Sequence, residues 1–310
     1  MTGRKIIVIA GPTACGKTEY AIRVAENTGG EIVSCDSMQL YEHMDIGSAK
    51  PDAEELARVP HHLIGAVDPR EPFSVVKYRE LALEAIRDIK ARGKLPVICG
   101  GTGLYLDALL YELDFAGVPE NDPSYREELY RIAETEGPEA LHRILETLDE
   151  GSAARIHPNN IKRTVRAIES ARTGFPIADF ASERVPNPEI DPVLTGLTRD
   201  RAELYGRINM RVDIMLEKGL VDEVRGLMDM GLTDSDISMK GIGYKEVIAY
   251  LEGRCGYEEM RDNIMKNTRH YAKRQMTWFK RYEDMKWFLL SGYGAEERAA
   301  AEITEWLSRR

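Results

Sequence analysis

The hydrophobic and polar positions alternate between two spacings over the first hundred residues. Continuous apolar runs occur at 5–10 (KIIVIA), 31–35 (EIVSC) and 95–99 (LPVIC), and such runs are typical of parallel strands that are buried on both faces. Amphipathic stretches at 18–27 and 73–92 separate them, and each ends near a glycine that can stop a helix. Strands that alternate with helices in this way predict a parallel α/β sheet.

The pattern changes between about residue 115 and residue 190. Charged amphipathic helices are predicted there at 124–135, 138–149 and 159–172, with breaks at Gly137-Pro138 and Gly151-Ser152, and a proline-spaced connector follows them. We interpret this stretch as a helical insertion. An apolar run at 193–198 then predicts a strand that returns to the sheet, and the remainder of the chain is predicted to be mostly helical.

The turn after the first predicted strand matches the phosphate-binding pattern G-x-x-x-x-G-K-[ST], in the strand-turn-helix context that this pattern needs. Backbone N–H groups of such a loop converge on phosphate oxygens, and the amino end of the helix adds a favourable partial charge. The lysine supplies a mobile cation, and the next hydroxyl is placed to hold Mg²⁺. The phosphate-loop residues are Gly11, Pro12, Thr13, Ala14, Cys15, Gly16, Lys17 and Thr18.

The residues that follow the third predicted strand do not decide which phosphorylated ligand the loop binds. A nucleoside triphosphatase normally places a second acidic residue at the end of a buried strand to organise Mg²⁺. Here the strand at 95–99 leads into Gly100, Gly101 and Thr102, which carry no carboxylate. The loop therefore fits a departing diphosphate at least as well as it fits ATP.

Asp36 follows the second predicted strand, at the edge where the ligands of parallel sheets bind. It could act as a general base on an amine nucleophile, or it could hold Mg²⁺ through water. An ordinary turn aspartate is an equally good interpretation of the same position. Gln39, three residues further on, could contact a base edge through its amide.

These patterns predict an α/β fold with a P-loop NTPase-like parallel sheet core and an inserted small helical domain. We expect the core at residues 1–114 and 191–310 and the insertion at 115–190, which suits a chain of 310 residues. The four cysteines lie far apart, which argues against a disulfide framework or a zinc finger. No apolar run approaches the ~20 residues of a membrane span, so we expect a cytoplasmic protein without a membrane partner.

The formal net charge of −10 argues against a general nucleic-acid-binding protein, so any RNA contact must come from a local basic surface. Residues 263–282 form such a segment, because they contain six Lys or Arg and no Asp or Glu. Four of these cations follow a helical spacing and predict one cationic stripe: Lys266, Arg269, Lys273 and Lys280. For the neighbouring Trp278 and Phe279 we favour a place in the core. A second basic cluster consists of Arg155, Lys162, Arg163, Arg166 and Arg172.

Eight motifs occur along nearly the whole chain: GPTACGKT (11–18), DSMQLYEHMDIGSAKP (36–51), HHLIG (61–65), GGTGLYLDALL (100–110), RIHPNNIKRTVRAIE (155–169), RINMRVDIMLEKGLVDEV (207–224), GIGYKE (241–246) and TRHYAKRQMTWFKR (268–281). In their order and sequence they resemble the tRNA dimethylallyltransferase family, also called tRNA isopentenyltransferases, in its bacterial form. The set is far more specific than any single motif.

The resemblance implies transfer of the dimethylallyl group from dimethylallyl diphosphate to N6 of the adenosine 3′-adjacent to the anticodon, in tRNAs that read codons beginning with U. Diphosphate is released, and ATP is not consumed. The implied partners are dimethylallyl diphosphate, held with Mg²⁺, and the anticodon stem-loop of tRNA, from which the adenosine is flipped. We expect a monomer.

By the same resemblance, the catalytic residues are Asp36, Lys17, Thr18, Arg207 and Arg211. Asp36 takes the proton of the attacking amine, and Thr13 joins Lys17 and Thr18 in holding the diphosphate. The two arginines share one helix face, and the sequence does not decide which of them adds positive charge there. The residues implied to contact tRNA are Asp36, Ser37, Met38, Gln39, Thr102, Arg126, Lys162, Arg163, Thr164, Val165, Arg166, Lys240, Gly243, Tyr244, Lys245, Lys273, Arg274, Gln275, Thr277, Trp278 and Lys280.

Three other functions share parts of this pattern. A small-molecule kinase of nucleotide-kinase type would use the phosphate loop, but it would need ATP and gives no reason for the cationic stripe. An adenylate isopentenyltransferase would prenylate free AMP or ATP and would not need helices that contact tRNA. A non-catalytic RNA-binding switch would change its RNA affinity with nucleotide and would tolerate the loss of Asp36.

Overall fold

A computed structural model describes residues 5–112, 122–172, 184–293 and 296–309. The strands in these ranges are β1 (Lys5–Ala10), β2 (Glu31–Cys35), β3 (His61–His62), β4 (Pro96–Gly100), β5 (Asp191–Thr198) and β6 (Lys286–Leu289). They form one sheet in the order β3-β2-β4-β1-β5-β6, and every pairing between them is parallel. The predicted parallel α/β sheet is therefore confirmed.

The helices in the described ranges vary from 6 residues in α2 to 23 residues in α12. They are α1 (Lys17–Thr28), α2 (Ala53–Arg58), α3 (Val75–Ala91), α4 (Gly103–Leu110), α5 (Pro123–Thr135), α6 (Pro138–Leu148), α7 (Glu150–Arg155), α8 (Ile161–Arg172), α9 (Arg201–Glu217), α10 (Leu220–Asp229), α11 (Tyr244–Leu251), α12 (Tyr257–Phe279) and α13 (Glu296–Ser308). α1 buries Ile22 and Ala25 in the same core as Ile7 of β1. It ends at Gly29, whose φ of 63° suits a residue without a side chain.

The carboxyl ends of four neighbouring strands lie side by side. Ala10, the last residue of β1, is opposite Gly100 of β4 and Gly196 of β5, and Cys35 at the end of β2 is also opposite Gly100. A Cβ atom at Gly100 would lie 2.0 Å from the carbonyl oxygen of Cys35, so this close pairing requires glycine. The turns after β1, β2 and β4 therefore open at one edge of the sheet.

Several elements differ from the sequence prediction, and the short helices α2 and α4 are absent from it. β3 has two residues and β6 has four, which is too few to establish an alternating pattern, so the largely helical end of the chain also contains one edge strand. The break predicted at Gly151 lies two residues earlier, at Asp149, and an additional short helix, α7, follows it, because Asp149 accepts the N–H of Ser152 and caps that helix. The other predicted strands and helices agree with the observed bounds to within two residues.

The chain divides into two compact units. The first unit comprises Met1–Leu110 and Pro186–Arg310 and contains the sheet, and the second comprises Tyr111–Val185. The limits of the insertion predicted from the sequence, 115 and 190, lie a few residues further along the chain. In the second unit, α5 to α8 surround a core of apolar side chains that includes Leu129, Leu141, Leu145, Val165 and Ile168. Across the described ranges, no helix is both long enough and apolar enough to cross a membrane.

Candidate active site

A cavity of about 420 Å³ lies in the first unit, and both Thr13 of the phosphate loop and Asp36 lie on its wall. The loop after β2, α9, the segment before α11, and α12 complete the wall. Much of the lining is apolar: Tyr41, Phe73, Tyr105, Ile208, Val212, Met215 and Ile264. The cavity thus joins a phosphate-binding turn to a largely apolar space at the edge where the strands end.

The phosphate loop leads from β1 into the amino end of α1. Gly16 has a φ of 104° and Ala14 a φ of 62°, so two residues of the loop lie in the left-handed region. Lys17 Nζ donates a hydrogen bond to the carbonyl oxygen of Pro12 at 2.8 Å, which holds the ammonium group over the loop. Thr18 is half-buried in the first turn of α1. Helix amino end, ammonium group and hydroxyl together form an arrangement that suits phosphate oxygens.

Gln275, from α12, joins the phosphate loop to the turn after β4. Its Oε1 accepts the N–H of Thr13, and its Nε2 donates to the carbonyl oxygen of Gly101, both at 2.9 Å. Gln275 is only 4% exposed. A Cβ atom at Gly101 would lie 2.2 Å from Nε2, so glycine makes room for the amide. We expected Gln275 to contact tRNA, but in the structure its side chain supports the phosphate loop.

Two arginines also donate hydrogen bonds to backbone carbonyl oxygens of the phosphate loop. Arg207 Nε donates to the carbonyl oxygen of Ala14, and Arg199 Nε donates to the carbonyl oxygen of Cys15, each at 2.9 Å. Arg199 is not among the residues predicted from the sequence, because a contact between position 199 and position 15 leaves no local pattern. Both guanidinium groups add positive potential to a loop that already favours anions.

Arg211 lies one helical turn after Arg207 but has different surroundings. Its side chain lines the cavity. Burial lowers the pKa of its guanidinium group, and the charge of Arg207 acts in the same direction. Among the residues that the structure describes, none accepts a hydrogen bond from Arg211 or forms an ion pair with it. A half-buried cation that lines the cavity beside a phosphate loop, with no partner among the described residues, is suited to a negatively charged ligand.

Asp36 combines a turn with a place on the cavity wall. Its Oδ1 accepts the N–H of Met38 at 2.9 Å and that of Gln39 at 3.4 Å, as in an ordinary aspartate turn. Its Oδ2 makes no hydrogen bond with any residue in the described ranges. Thr102, after β4, accepts the N–H of Ser37 at 3.1 Å and so holds the start of this loop. Both interpretations of Asp36 are therefore compatible, since one oxygen shapes the turn and the other is open to a ligand.

Gln39 does not line the cavity. Its Nε2 donates to the carbonyl oxygen of Ala49, and its Oε1 accepts the hydroxyl of Ser34, both at 3.1 Å. Both ends of the amide are therefore engaged in closing the loop, and the idea that this amide contacts a base edge has no support in the structure. Met38 lies on the cavity wall instead.

The positions implied to contact tRNA fall into three groups by exposure. The half-buried ones are Asp36, Ser37, Met38, Gln39, Thr102, Arg126, Arg166 and Trp278. The exposed ones are Lys162, Arg163, Lys240, Lys245, Lys273, Arg274, Thr277 and Lys280. The buried ones are Thr164, Val165, Gly243, Tyr244 and Gln275. Thr164 and Val165 lie in the interior of the second unit, so their side chains do not reach a surface. Arg126 and Arg166 lie beside the buried Glu169, with shortest nitrogen–oxygen distances of 2.7 and 3.8 Å.

The cationic stripe of α12 is present but interrupted. Lys266, Lys273 and Lys280 are exposed, whereas Arg269 donates to the side chain of Asn209 on α9 at 2.6 Å. Phe279 is 1% exposed, so its predicted place in the core is confirmed. Trp278 is half-buried against Gly103, where a Cβ atom would lie 2.3 Å from the ring.

The fold and the cavity define a class of protein: a P-loop-fold core that handles a phosphorylated organic molecule. The particular family follows from comparison with known sequences. The family model described as IPP transferase matches residues 39–282, and the model described as isopentenyl transferase matches residues 4–64. The chain therefore belongs to the IPP transferase family.

Two bacterial relatives of similar length share a name. The chain is 47% identical over 298 residues to the tRNA dimethylallyltransferase of Alkaliphilus oremlandii. The match covers 96% of this chain and 95% of the relative. It is 48% identical over 298 residues to the tRNA dimethylallyltransferase of Clostridioides difficile, with 96% of each chain covered.

Solved structures agree with the sequence relatives. The tRNA isopentenylpyrophosphate transferase of Bacillus halodurans superposes with a TM-score of 0.74 at 42% identity, covering 98% of this chain and 96% of that one. A eukaryotic dimethylallyltransferase, described as acting on tRNA, superposes with a TM-score of 0.78 at 28% identity. That match covers 99% of this chain and 80% of the eukaryotic chain.

Proposed function

We propose that this protein transfers the dimethylallyl group from dimethylallyl diphosphate to N6 of the adenosine 3′-adjacent to the anticodon in tRNAs that read codons beginning with U. The observation that carries the proposal is one cavity that holds Thr13, Arg211 and Asp36 on an otherwise largely apolar wall. A diphosphate, a short hydrocarbon and a purine base can all be accommodated by such a lining. The names of the relatives support the reaction, and the lining of the cavity supports its location.

At the phosphate end, the charge of the leaving group determines which residues matter. As the bond between the allylic carbon and oxygen breaks, negative charge grows on the diphosphate, and fixed donors that meet this charge lower the barrier. The loop N–H groups, Lys17 and Arg211 are the candidates. Arg207 acts through the loop, because its Nε is bound to Ala14.

Magnesium fits the phosphate loop beside this end of the cavity, at Thr18 in the first turn of α1. The Thr18 hydroxyl makes no hydrogen bond with the described residues, and a hydroxyl oxygen together with diphosphate oxygens is the hard donor set that Mg²⁺ prefers. We propose that Thr18 holds the ion against the diphosphate. Bound there, Mg²⁺ would offset part of the charge of the leaving group.

At the base end, the N6 amine forms the new bond to the allylic carbon as the carbon–oxygen bond of the leaving group breaks. The amine must then lose one proton. Asp36 Oδ2 is the open carboxylate oxygen on the cavity wall, and we propose that it accepts this proton. The apolar and aromatic lining keeps water away from the allylic cation-like carbon, which water would otherwise capture.

The anticodon stem-loop is the proposed partner, and we propose that the enzyme acts on it as a monomer. A base inside a stacked loop must be flipped out to reach such a cavity. Lys240, Lys245 and Arg274 lie on its wall, and Lys273 is exposed on the same helix as Arg274. On a protein with a net charge of −10, this local cluster suits the phosphates that flank a flipped nucleotide.

One assay tests the proposal. Purified protein is incubated with dimethylallyl diphosphate labelled in the prenyl group, Mg²⁺ and unmodified tRNA, with and without ATP. We expect label in tRNA without ATP, and none in a tRNA whose target adenosine is replaced by guanosine, which lacks the N6 amine. Label only in free AMP would support an adenylate isopentenyltransferase, and a strict need for ATP would support a kinase. RNA binding that responds to nucleotide, with no transfer at all, would support a switch.

A further inference from the structure

Glu223, in the first turn of α10, has a carboxylate whose hydrogen bonds go to two segments that continue into the cavity wall. Its Oε2 accepts the backbone N–H groups of Asp45 and Ile46 at 2.8 and 2.7 Å. Its Oε1 accepts the N–H of Gly47 at 3.0 Å and the hydroxyl of Tyr244 at 2.8 Å. Four donors from two distant segments therefore converge on one side chain, and each hydrogen bond is strengthened by the negative charge.

The first of these segments is the loop that starts at Asp36. After Asp45 and Ile46, the loop continues into Gly47, Ser48 and Ala49, which line the cavity. Three consecutive N–H groups that point at one carboxylate fix the path of the backbone here. Without Glu223, these three donors would lose their common acceptor, and nothing else in the described residues replaces it at Asp45 or Ile46.

The second segment leads into α11. Lys240, Gly241, Ile242 and Gly243 line the cavity, and Tyr244 follows them as the first residue of the helix. Tyr244 is fully buried, with its ring packed on Gly47: a Cβ atom at Gly47 would lie 2.5 Å from that ring. Glu223 and Tyr244 thus hold the two walls in contact, although neither side chain lines the cavity.

The phosphate end is held by a separate set of side chains. Gln275, Arg207 and Arg199 contact the phosphate loop, and none of them contacts Glu223 in the described ranges. A change at Glu223 should therefore move the loop that carries Asp36, and the Lys240 segment, without moving the phosphate loop.

We propose that Glu223 is a positioning residue that sets the width of the base end of the cavity, and thereby the distance from the acceptor adenine to Asp36. This inference rests on the proposed function, because it assigns that end of the cavity to the base. Glu223 touches no reacting atom. It acts through the two walls that it joins.

The test is the substitution Glu223→Gln, which keeps the size of the side chain. An amide nitrogen cannot accept a hydrogen bond, so at least one backbone N–H of the loop loses its acceptor. Asp222→Asn is the matched control, because it removes the same charge from the same helical turn at an exposed residue. Two quantities are measured in each variant: the steady-state constants with an anticodon stem-loop RNA, and the Kd of Mg²⁺–pyrophosphate by calorimetry.

We expect Glu223→Gln to lower kcat/KM for the RNA by roughly 10-fold or more, the usual consequence of losing one or two charge-assisted hydrogen bonds. The pyrophosphate Kd should stay within about twofold of the wild-type value, since the phosphate end is held independently. Asp222→Asn should match the wild type in both measurements. An unchanged kcat/KM in Glu223→Gln would overturn the inference, and so would an equal loss of RNA turnover and pyrophosphate affinity.

Tyr244→Phe covers the case in which Glu223→Gln does not fold. It removes the hydroxyl, and with it the hydrogen bond to Glu223 and a backbone contact with Ser48 of the same loop, but it keeps the ring on Gly47. A few-fold loss of kcat/KM for RNA at constant pyrophosphate affinity supports the inference, and no loss overturns it. The proposed function is judged separately on the wild-type enzyme. If the wild type transfers no label to tRNA, the proposed function fails, whereas a fully active wild type with indifferent variants rejects only the role of Glu223.

Discussion

The two ends of the cavity are built in different ways. The phosphate end is a run of eight consecutive residues, 11–18, whose own backbone forms the binding surface, and distant side chains such as Gln275 only hold it in place. The base end has no such local unit. It consists of the loop at 36–51 and the segment at 240–245, which meet only because Glu223 and neighbouring side chains join them. A charge can be bound by generic backbone donors, but a base needs a shaped space, and that shape depends on long-range contacts.

The largest effect that would sharpen this comparison is expected at Asp36. Asp36→Ala removes the proposed proton acceptor, and we expect kcat to fall by roughly 10²-fold or more, the usual contribution of a general base. The affinity for tRNA should stay near the wild-type value, since the loss affects chemistry. Single-turnover rates and tRNA Kd are measured in parallel, with Asp36→Asn as the variant that keeps the turn. A loss of tRNA affinity that matches the loss of rate would make Asp36 a binding residue.

The next effect is expected at Arg211, one of the two arginines that the sequence leaves equivalent. Arg211→Ala removes a cavity-lining cation that has no partner among the described residues, and we expect kcat/KM for dimethylallyl diphosphate to fall by roughly 10- to 100-fold, because charge on the leaving group loses a fixed partner. Arg225→Ala is the control, since this arginine is exposed and pairs with Asp222. Steady-state kinetics with varied diphosphate substrate make the measurement. If Arg211→Ala behaves like Arg225→Ala, the charge at the leaving group comes from Lys17 and the loop alone.

The same contrast explains what could be predicted from the sequence. Apolar runs and the glycine pattern are local, so they locate the strands, the phosphate loop and Asp36 at the edge of the sheet. The structural roles of Gln275 and Arg199 could not be predicted, because their hydrogen-bond partners lie far away in the sequence. Thr13, for example, is 262 residues from Gln275. Exposure is also invisible in a motif: Val165 lies within a predicted basic segment but is 1% exposed.

A smaller effect is expected at Gln275. A variant at this position tests whether the phosphate end of the cavity depends on this distant side chain. Gln275→Glu keeps the acceptor for Thr13 but turns a second acceptor toward the Gly101 carbonyl oxygen, so the contact survives only while the carboxyl group carries a proton. We expect the pyrophosphate Kd to rise by about 10-fold at high pH, as for a lost buried hydrogen bond, and to recover as the pH falls.

The direction of this pH dependence is specific to the Gln275 contact. The protonated carboxyl group donates to Gly101 as the amide did, so affinity is highest below the pKa of the new glutamate and is lost above it. The wild type provides the reference at each pH, and calorimetry with Mg²⁺–pyrophosphate provides the measurement. A pyrophosphate Kd that tracks the wild type at every pH would show that the phosphate loop does not need Gln275, and the two ends would then differ less than their contacts indicate.

The smallest effect concerns the surface outside the cavity. Lys273 is exposed on α12 next to the cavity-lining Arg274, and if it contacts an RNA phosphate, Lys273→Ala should lower the slope of log Kd for the anticodon stem-loop against log salt by about one. The loss of affinity should be greatest at low salt, since the wild type gains most from its extra contact when counterions are scarce. Lys218→Ala, at the exposed end of α9, serves as the control. An unchanged slope in Lys273→Ala would remove this lysine from the RNA surface, and the base end would then rely on Lys240, Lys245 and Arg274 alone for its phosphate contacts.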